Sequence, residues 1–155
     1  MVDKIKKIQI AVVGCGRISA KHFEAIIGHS DYFSLVAICD INQDIVNQYS
    51  LEFNVHGYTL IDEMLNHEKL DIIAICTPSG LHPEQTILAA KFGIHVITEK
   101  PMATSWIDGQ RMVSACDEAG VKLFVVKQNR NNATLKLLKR AILDKRFGKI
   151  YMVNI

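Results

Sequence analysis

The sequence predicts an α/β domain built on a doubly wound parallel sheet, with strand order 3-2-1-4-5-6 favoured. Two observations carry this. Short apolar runs without polar alternation recur along the chain, and each is followed by a stretch with helical spacing of apolar residues. Strands of that kind are buried on both faces, which a parallel sheet under two layers of helices provides. Right-handed crossovers then leave few topologies.

Ile8-Gln9-Ile10-Ala11-Val12-Val13 is the first strand and ends at Gly14. Ile18 to Ile27 has helical spacing (Ile18, Phe23, Ile26, Ile27), with Gly28 after it. Ser34 to Cys39 is the second strand, and Asn42 caps a helix running to Glu52 with Ile45, Val46 and Tyr49 inside. Val55 to Tyr58 is a short strand. Thr59-Leu60-Ile61-Asp62 resembles a capping box opening a short helix with Met64 and Leu65 inward. Asp71 to Cys76 is the fourth strand. Pro83 suits the first turn of the next helix, which Gly93 ends. His95 to Thr98, a helix from Ser105 to Ala119 closed by Gly120, and Val121 to Val126 complete six strands. A last helix spans Thr134 to Leu143, and Ile150 to Ile155 is expected to begin a seventh strand.

Composition agrees with one folded domain. The 155 residues are 49% hydrophobic and 22% charged, with mean hydropathy +0.14, which excludes a disordered chain. The 18 Lys and Arg against 16 Asp and Glu leave a net charge of +2. That balance argues against a nucleic-acid or membrane-surface protein. No apolar run approaches the roughly 20 residues of a membrane helix. The N-terminal Met1 to Lys7 is charged and lacks the apolar core of a signal peptide. Cys15, Cys39, Cys76 and Cys116 are scattered, as expected for free thiols in a reducing cytosol. The six histidines show no metal-ligand spacing, so no metal is expected.

Chemistry concentrates in the turns. Gly14-Cys15-Gly16-Arg17-Ile18-Ser19, between first strand and first helix, matches G-x-G-x-x-G except for Ser19. The first glycine allows the tight turn. The second lets the backbone approach a pyrophosphate, which the helix N-terminus favours, and the small third residue packs helix on strand. Asp40 ends the second strand, where a carboxylate accepts hydrogen bonds from the adenosine ribose and repels a 2′-phosphate. No Lys or Arg occurs from Ile41 to Gly57 to offset it, which favours NAD over NADP.

Ligands of such sheets bind beyond the carboxyl ends of the strands. The topology gathers there the glycine turn, Thr77-Pro78-Ser79-Gly80-Leu81-His82, Glu99-Lys100-Pro101 and Lys127-Gln128-Asn129-Arg130. Lys100 is the candidate catalytic residue, hydrogen-bonding a reacting hydroxyl. The same lysine is equally well placed for a salt bridge with Glu99 or free solvation. His82 either lines the site or caps its helix.

Together these residues resemble the Gfo/Idh/MocA family of NAD(P)-dependent sugar oxidoreductases along essentially the whole chain. The likeness rests on Val12 to Ile18, Thr77 to His82 and Glu99-Lys100-Pro101, the family's E-K-P signature. Lys127 to Asn132 and Phe147 to Tyr151 look like the branch that oxidises a UDP-N-acetylhexosaminuronate at C3 in surface-polysaccharide (lipopolysaccharide) biosynthesis. The resemblance implies a Rossmann fold and NAD as cofactor, with Gly14, Cys15, Gly16, Arg17 and Ile18 at the pyrophosphate. Asp40 and Ile41 would take the adenosine ribose. Thr77, Pro78, Ser79, His82, Glu99, Lys100 and Gln128 would line the nicotinamide half, with Lys100 also reaching the substrate hydroxyl. A nucleotide-sugar is the implied substrate and a cytoplasmic homo-oligomer the expected form.

The family carries a second α/β domain. Residues 1–148 are therefore expected to be the dinucleotide-binding domain, and 149–155 the start of a C-terminal domain that this chain lacks. On that expectation the chain binds cofactor, is inactive alone, and has at its tail either an unpaired edge open to self-association or a disordered segment. A non-catalytic dinucleotide-binding or sensing module is the alternative. The basic run from Arg130 to Lys149 reads first as a solvated helix face, and otherwise as contact with an anionic nucleotide-sugar.

Overall fold

The computed structural model describes residues 6–154. The charged N-terminal reading falls largely on residues 1–5, outside the described residues, as does Ile155 of the expected seventh strand. The chain divides into two compact units, Met1–Val125 and Val126–Ile155.

In the first unit the elements alternate as the periodicity predicts. They are β1 (Ile8–Val13), α1 (Ser19–Gly28), β2 (Phe33–Cys39), α2 (Gln43–Phe53), β3 (His56–Tyr58), α3 (Ile61–His67), β4 (Ile72–Ile75), α4 (His82–Lys91), β5 (His95–Thr98), α5 (Trp106–Glu118) and β6 (Leu123–Val125). The six strands form one sheet in the order β3-β2-β1-β4-β5-β6, every pair parallel. This is the expected order.

Alternation along each strand feeds two core layers. Ala11, Val13, Ala37, Ile73, Ile75 and Val96 face one way, against Met64 and Leu65 of α3 and Ala89 of α4. Ile10, Val12, Ile38 and Ala74 face the other way, against Phe23 and Ile26 of α1 and Val46 of α2. Ala11, Val12, Ile38, Ile73, Ala74, Ile75 and Val96 have no exposed surface, which explains why these strands read as unbroken apolar runs. The register is what serves function. Val13 pairs with Cys39 and Ile75, and Ile75 pairs with Thr98, so the strands end level at the carboxyl edge.

Local signals act where they are strong. The Asn42 side chain accepts from the amides of Asp44 and Ile45, and the Ser105 hydroxyl accepts from that of Asp108. Pro83 sits in the first turn of α4. Gly93 and Gly120 take φ of +72° and +67° just beyond their helices.

Three expectations are corrected. The capping box at Thr59 does not form. Leu60 is the residue before α3, extended at φ −122° and ψ 128°, with no side-chain cap, so the helix starts one residue too late for the Thr59 hydroxyl. Gly28 lies inside α1, and His29 follows it as the cap. Residues 150–154 form no strand; a lone segment has no partner ladder to satisfy its amides.

The second unit holds a short 3₁₀ turn, Gln128–Asn131, and α6 (Ala133–Leu143), capped by Asn132. No described helix is long and apolar enough to cross a membrane.

Candidate active site

The site is built on the carboxyl edge of the first unit. Gly14 follows β1 with φ +84°, and a Cβ there would lie 2.7 Å from the Thr77 nitrogen and 2.8 Å from the Cys76 carbonyl carbon. Only glycine lets the turn pass so close to the β4 loop. Gly16 has nothing within 4 Å of a built Cβ, so its backbone faces open space. Ser19, at the third motif position, is fully buried and donates its hydroxyl to the Gly16 carbonyl at 2.6 Å. A serine here closes the turn as well as packing the helix. Arg17 and Ile18 are exposed.

Asp40 locks this turn. One carboxylate oxygen accepts from the Cys15 amide at 2.7 Å and the other from the Asn42 amide at 2.9 Å. Each oxygen keeps a lone pair for a further donor. A cavity of about 600 Å³ opens beside it, lined by Gly14, Gly16, Asp40, Ile41, Pro78 and Leu81 among others. Ile41 is 93% exposed at its mouth. Thr77 donates its hydroxyl to Gln85 at 2.6 Å, anchoring the β4 loop to α4, and Ser79 is half-buried in the same loop.

Three thiols surround the turn. Cys15, Cys39 and Cys76 are buried, and burial pushes each up to about 12. The Asp40 carboxylate adds to this at Cys15 and Cys39, and Glu99 at Cys76. They pack as protonated thiols, not as nucleophiles.

The E-K-P loop differs from its simplest reading. The Glu99 carboxylate does not pair with the Lys100 ammonium. It meets His22 Nε2 of α1 at 2.9 Å and accepts the Lys100 backbone amide at 3.2 Å. Lys100 is exposed, and its ammonium joins no salt bridge among the described residues. His82 is 1% exposed, with Nδ1 3.0 Å from the Pro101 carbonyl and Nε2 2.8 Å from that of Thr77. It neither caps its helix nor opens to solvent; it is packed between two site loops, its ring nitrogens facing a carbonyl of each. Gln128 opens the 3₁₀ turn of the second unit.

His22 and Gln85 went unmarked in the sequence. His22 had a signal: on α1 it shares the inward stripe of Ser19, Phe23 and Ile26, and a polar residue on a buried stripe needs a partner.

The arrangement sets a glycine turn after β1, a carboxylate after β2 and, after β5, an exposed ammonium that joins no salt bridge among the described residues. Residues 8–127 match the family model described as oxidoreductase family, NAD-binding Rossmann fold. D-apiose dehydrogenase of Paraburkholderia graminis is 32% identical over 93% of the chain and 38% of its own length. The crystal structure of the WlbA dehydrogenase from Bordetella pertussis, in complex with NADH and UDP-GlcNAcA, is 52% identical with a TM-score of 0.91. That match covers 95% of this chain and 45% of the other. The WlbA structure from Chromobacterium violaceum, with the same two ligands, is 49% identical, TM-score 0.91, covering 98% and 44%. The chain thus spans under half the length of these relatives.

Proposed function

The chain belongs to the Gfo/Idh/MocA oxidoreductase family as its NAD-binding Rossmann domain, and from that premise we propose that it serves a nucleotide-sugar dehydrogenase. The reaction is oxidation of the C3 hydroxyl of a UDP-N-acetylhexosaminuronate, in surface-polysaccharide sugar biosynthesis in the cytoplasm. The observation that carries this reading is the 52% identity, across 95% of the chain, to a dehydrogenase crystallised with NADH and UDP-GlcNAcA.

The residues present fit a dinucleotide. The Gly14 turn has no room for a Cβ, Gly16 faces open space, and the Asp40 carboxylate stands beside the cavity with lone pairs to spare. Bound NAD supplies the acceptor for the two electrons that leave C3 with its hydrogen. The Gly14–Ile18 turn, including Arg17, holds the pyrophosphate at the α1 N-terminus, with Cys15 tying the turn to Asp40. Asp40 and Ile41 hold the adenosine ribose. Thr77, Pro78 and Ser79 serve the nicotinamide half, with His82 and Glu99 supporting it by fixing their loops. Lys100, acting as its free amine, hydrogen-bonds the C3 hydroxyl and takes its proton as the hydride leaves, becoming the ammonium.

Residues 1–148 are the cofactor domain in this reading, and 149–155 open a second domain that completes the sugar site in a homo-oligomer. The chain alone then binds NAD without turning over sugar. The test is NADH formation from NAD⁺ and UDP-2-acetamido-2-deoxyglucuronate by the protein of the full reading frame, with the 155-residue chain beside it. No NADH from the full-length protein would reject the substrate class, and turnover by the chain alone would reject the half-site.

A further inference from the structure

Helix α1 meets the site twice. Its N-terminus forms the glycine turn, and one turn later His22 reaches the E-K-P loop. The His22 and Glu99 side chains are only 14% and 11% exposed, with Nε2 and Oε1 2.9 Å apart. A carboxylate only accepts, so the ring N–H donates. The second Glu99 oxygen takes the Lys100 amide at 3.2 Å. On the other side of Lys100, His82 of α4 packs with Nδ1 3.0 Å from the Pro101 carbonyl and Nε2 2.8 Å from that of Thr77. Lys100 thus projects from a backbone whose amide the Glu99 carboxylate holds, while its own ammonium is in no salt bridge among the described residues.

We infer that His22 is a positioning residue for Lys100, acting through the Glu99 carboxylate. The inference rests on the proposed role of Lys100 in proton transfer. Without His22 the nearly buried carboxylate keeps one backbone donor. An under-satisfied buried carboxylate turns towards water, and on turning it releases the Lys100 amide. His82 does not substitute, because its ring nitrogens face the Pro101 and Thr77 carbonyls and not the carboxylate. A displacement of about 1 Å at a catalytic group is enough to cost on the order of 10²-fold in rate.

The experiment uses the full-length enzyme with saturating NAD⁺ and sugar. His22→Leu suits the apolar hollow formed there by Ile10, Ile26, Phe33 and Ile97. It should lower kcat by about 10–100-fold while NADH affinity and sugar KM stay within about threefold. His22→Gln, which carries an N–H donor at similar reach, should restore kcat to within about threefold of wild type. In a Lys100→Met background, His22→Leu should add less than about twofold, since a residue acting through Lys100 has nothing left to act on. Should His22→Leu not fold, His22→Asn, polar but too short to reach Glu99, replaces it. Near-normal kcat in His22→Leu beside an inactive Lys100→Met overturns this inference and leaves the dehydrogenase reading standing. Near-normal kcat in Lys100→Met overturns this inference together with the proton-transfer role of Lys100, whereas absence of NADH formation by the wild type overturns the dehydrogenase reading itself. A loss that is additive with Lys100→Met, or not rescued by Gln, assigns His22 to general stability and overturns the positioning role.

Discussion

Replacing Asp40 with Ala removes two hydrogen bonds and one charge, and the three effects separate in measurement. The first bond is to the Cys15 amide at 2.7 Å, in a residue only 3% exposed. Stranding a donor that bonded a charged acceptor costs about 1.5–3 kcal/mol. The second is to the Asn42 amide at 2.9 Å, in an exposed residue, where water takes over. At about 3 °C per kcal/mol for a chain of this size, the melting temperature should fall by roughly 4–9 °C. The charge acts on cofactor choice. Two unit charges about 5 Å apart at an effective dielectric near 20 repel by about 3 kcal/mol, and solvent at the cavity mouth reduces this. Wild type should therefore prefer NAD(H) to NADP(H) by at least tenfold, or about 1.4 kcal/mol. In Asp40→Ala the gap should narrow while NAD itself binds more weakly. Asp40→Asn keeps a carbonyl acceptor without the charge, so it should recover part of the melting loss but not the cofactor gap. Calorimetric titration with NAD⁺, NADH and NADP⁺, alongside thermal unfolding, reads all three. Equal wild-type affinities, or an Asp40→Ala protein that melts and binds like wild type, would refute the reasoning.

Lys100→Met in the full-length enzyme should reduce kcat by roughly 10²–10⁴ with cofactor affinity little changed; normal turnover would return Lys100 to the solvated surface. Gly14→Ala must place a methyl 2.7 Å from the Thr77 nitrogen at φ +84°, a strain of about 1–3 kcal/mol before any clash. It should lower the melting temperature by several degrees and abolish NADH fluorescence enhancement, and wild-type binding would show that the turn has room to spare. The three buried thiols set an alkaline limit. Each rises from 9.0 to about 12 on folding, so between those values the unfolded chain releases protons that the folded chain keeps. Their stabilisation is whole below pH 9 and is lost as pH rises through 12, at up to about 1.4 kcal/mol per pH unit for each thiol. Urea midpoints should drop steeply above pH 9, and a flat profile to pH 11 would place the thiols in contact with solvent.

The strands and their order were legible because burial on both faces leaves a signal in every residue: Ile72 to Ile75 contains nothing but apolar side chains. The glycine turn was legible because its steric demand is local. Thr59 misled because a capping box is defined by spacing alone, whereas the extended backbone at Leu60 decides where α3 begins. The tail misled for a related reason. Strand-forming residues at 150–154 describe a propensity, and a strand also needs a neighbour to bond. The Glu99 partner was the harder case, since Lys100 is adjacent in sequence and carries the obvious charge.

Strand parity shows why the adjacent lysine loses. Val96 packs into the α3–α4 layer and Ile97 against the α1–α2 layer. Alternation sends Thr98 back to the first side and Glu99 to the second, while Lys100 turns away from it. The Glu99 carboxylate is therefore aimed under α1 before any charge is considered. On α1 the inward stripe of Ser19, Phe23 and Ile26 brings His22 with it. Ala74, with no exposed surface, shares that face with Ile72 on the intervening strand β4. Once the register Ile75 to Thr98 is set, the pair is determined by two periodicities, two along the strand and 3.6 along the helix. A one-residue slip of β5 would reverse it, burying Lys100 beneath α1 and sending Glu99 to the opposite face. The apolar pattern that fixes the sheet register thus also fixes which member of the Glu99-Lys100 pair is buried beneath α1 and which is left exposed.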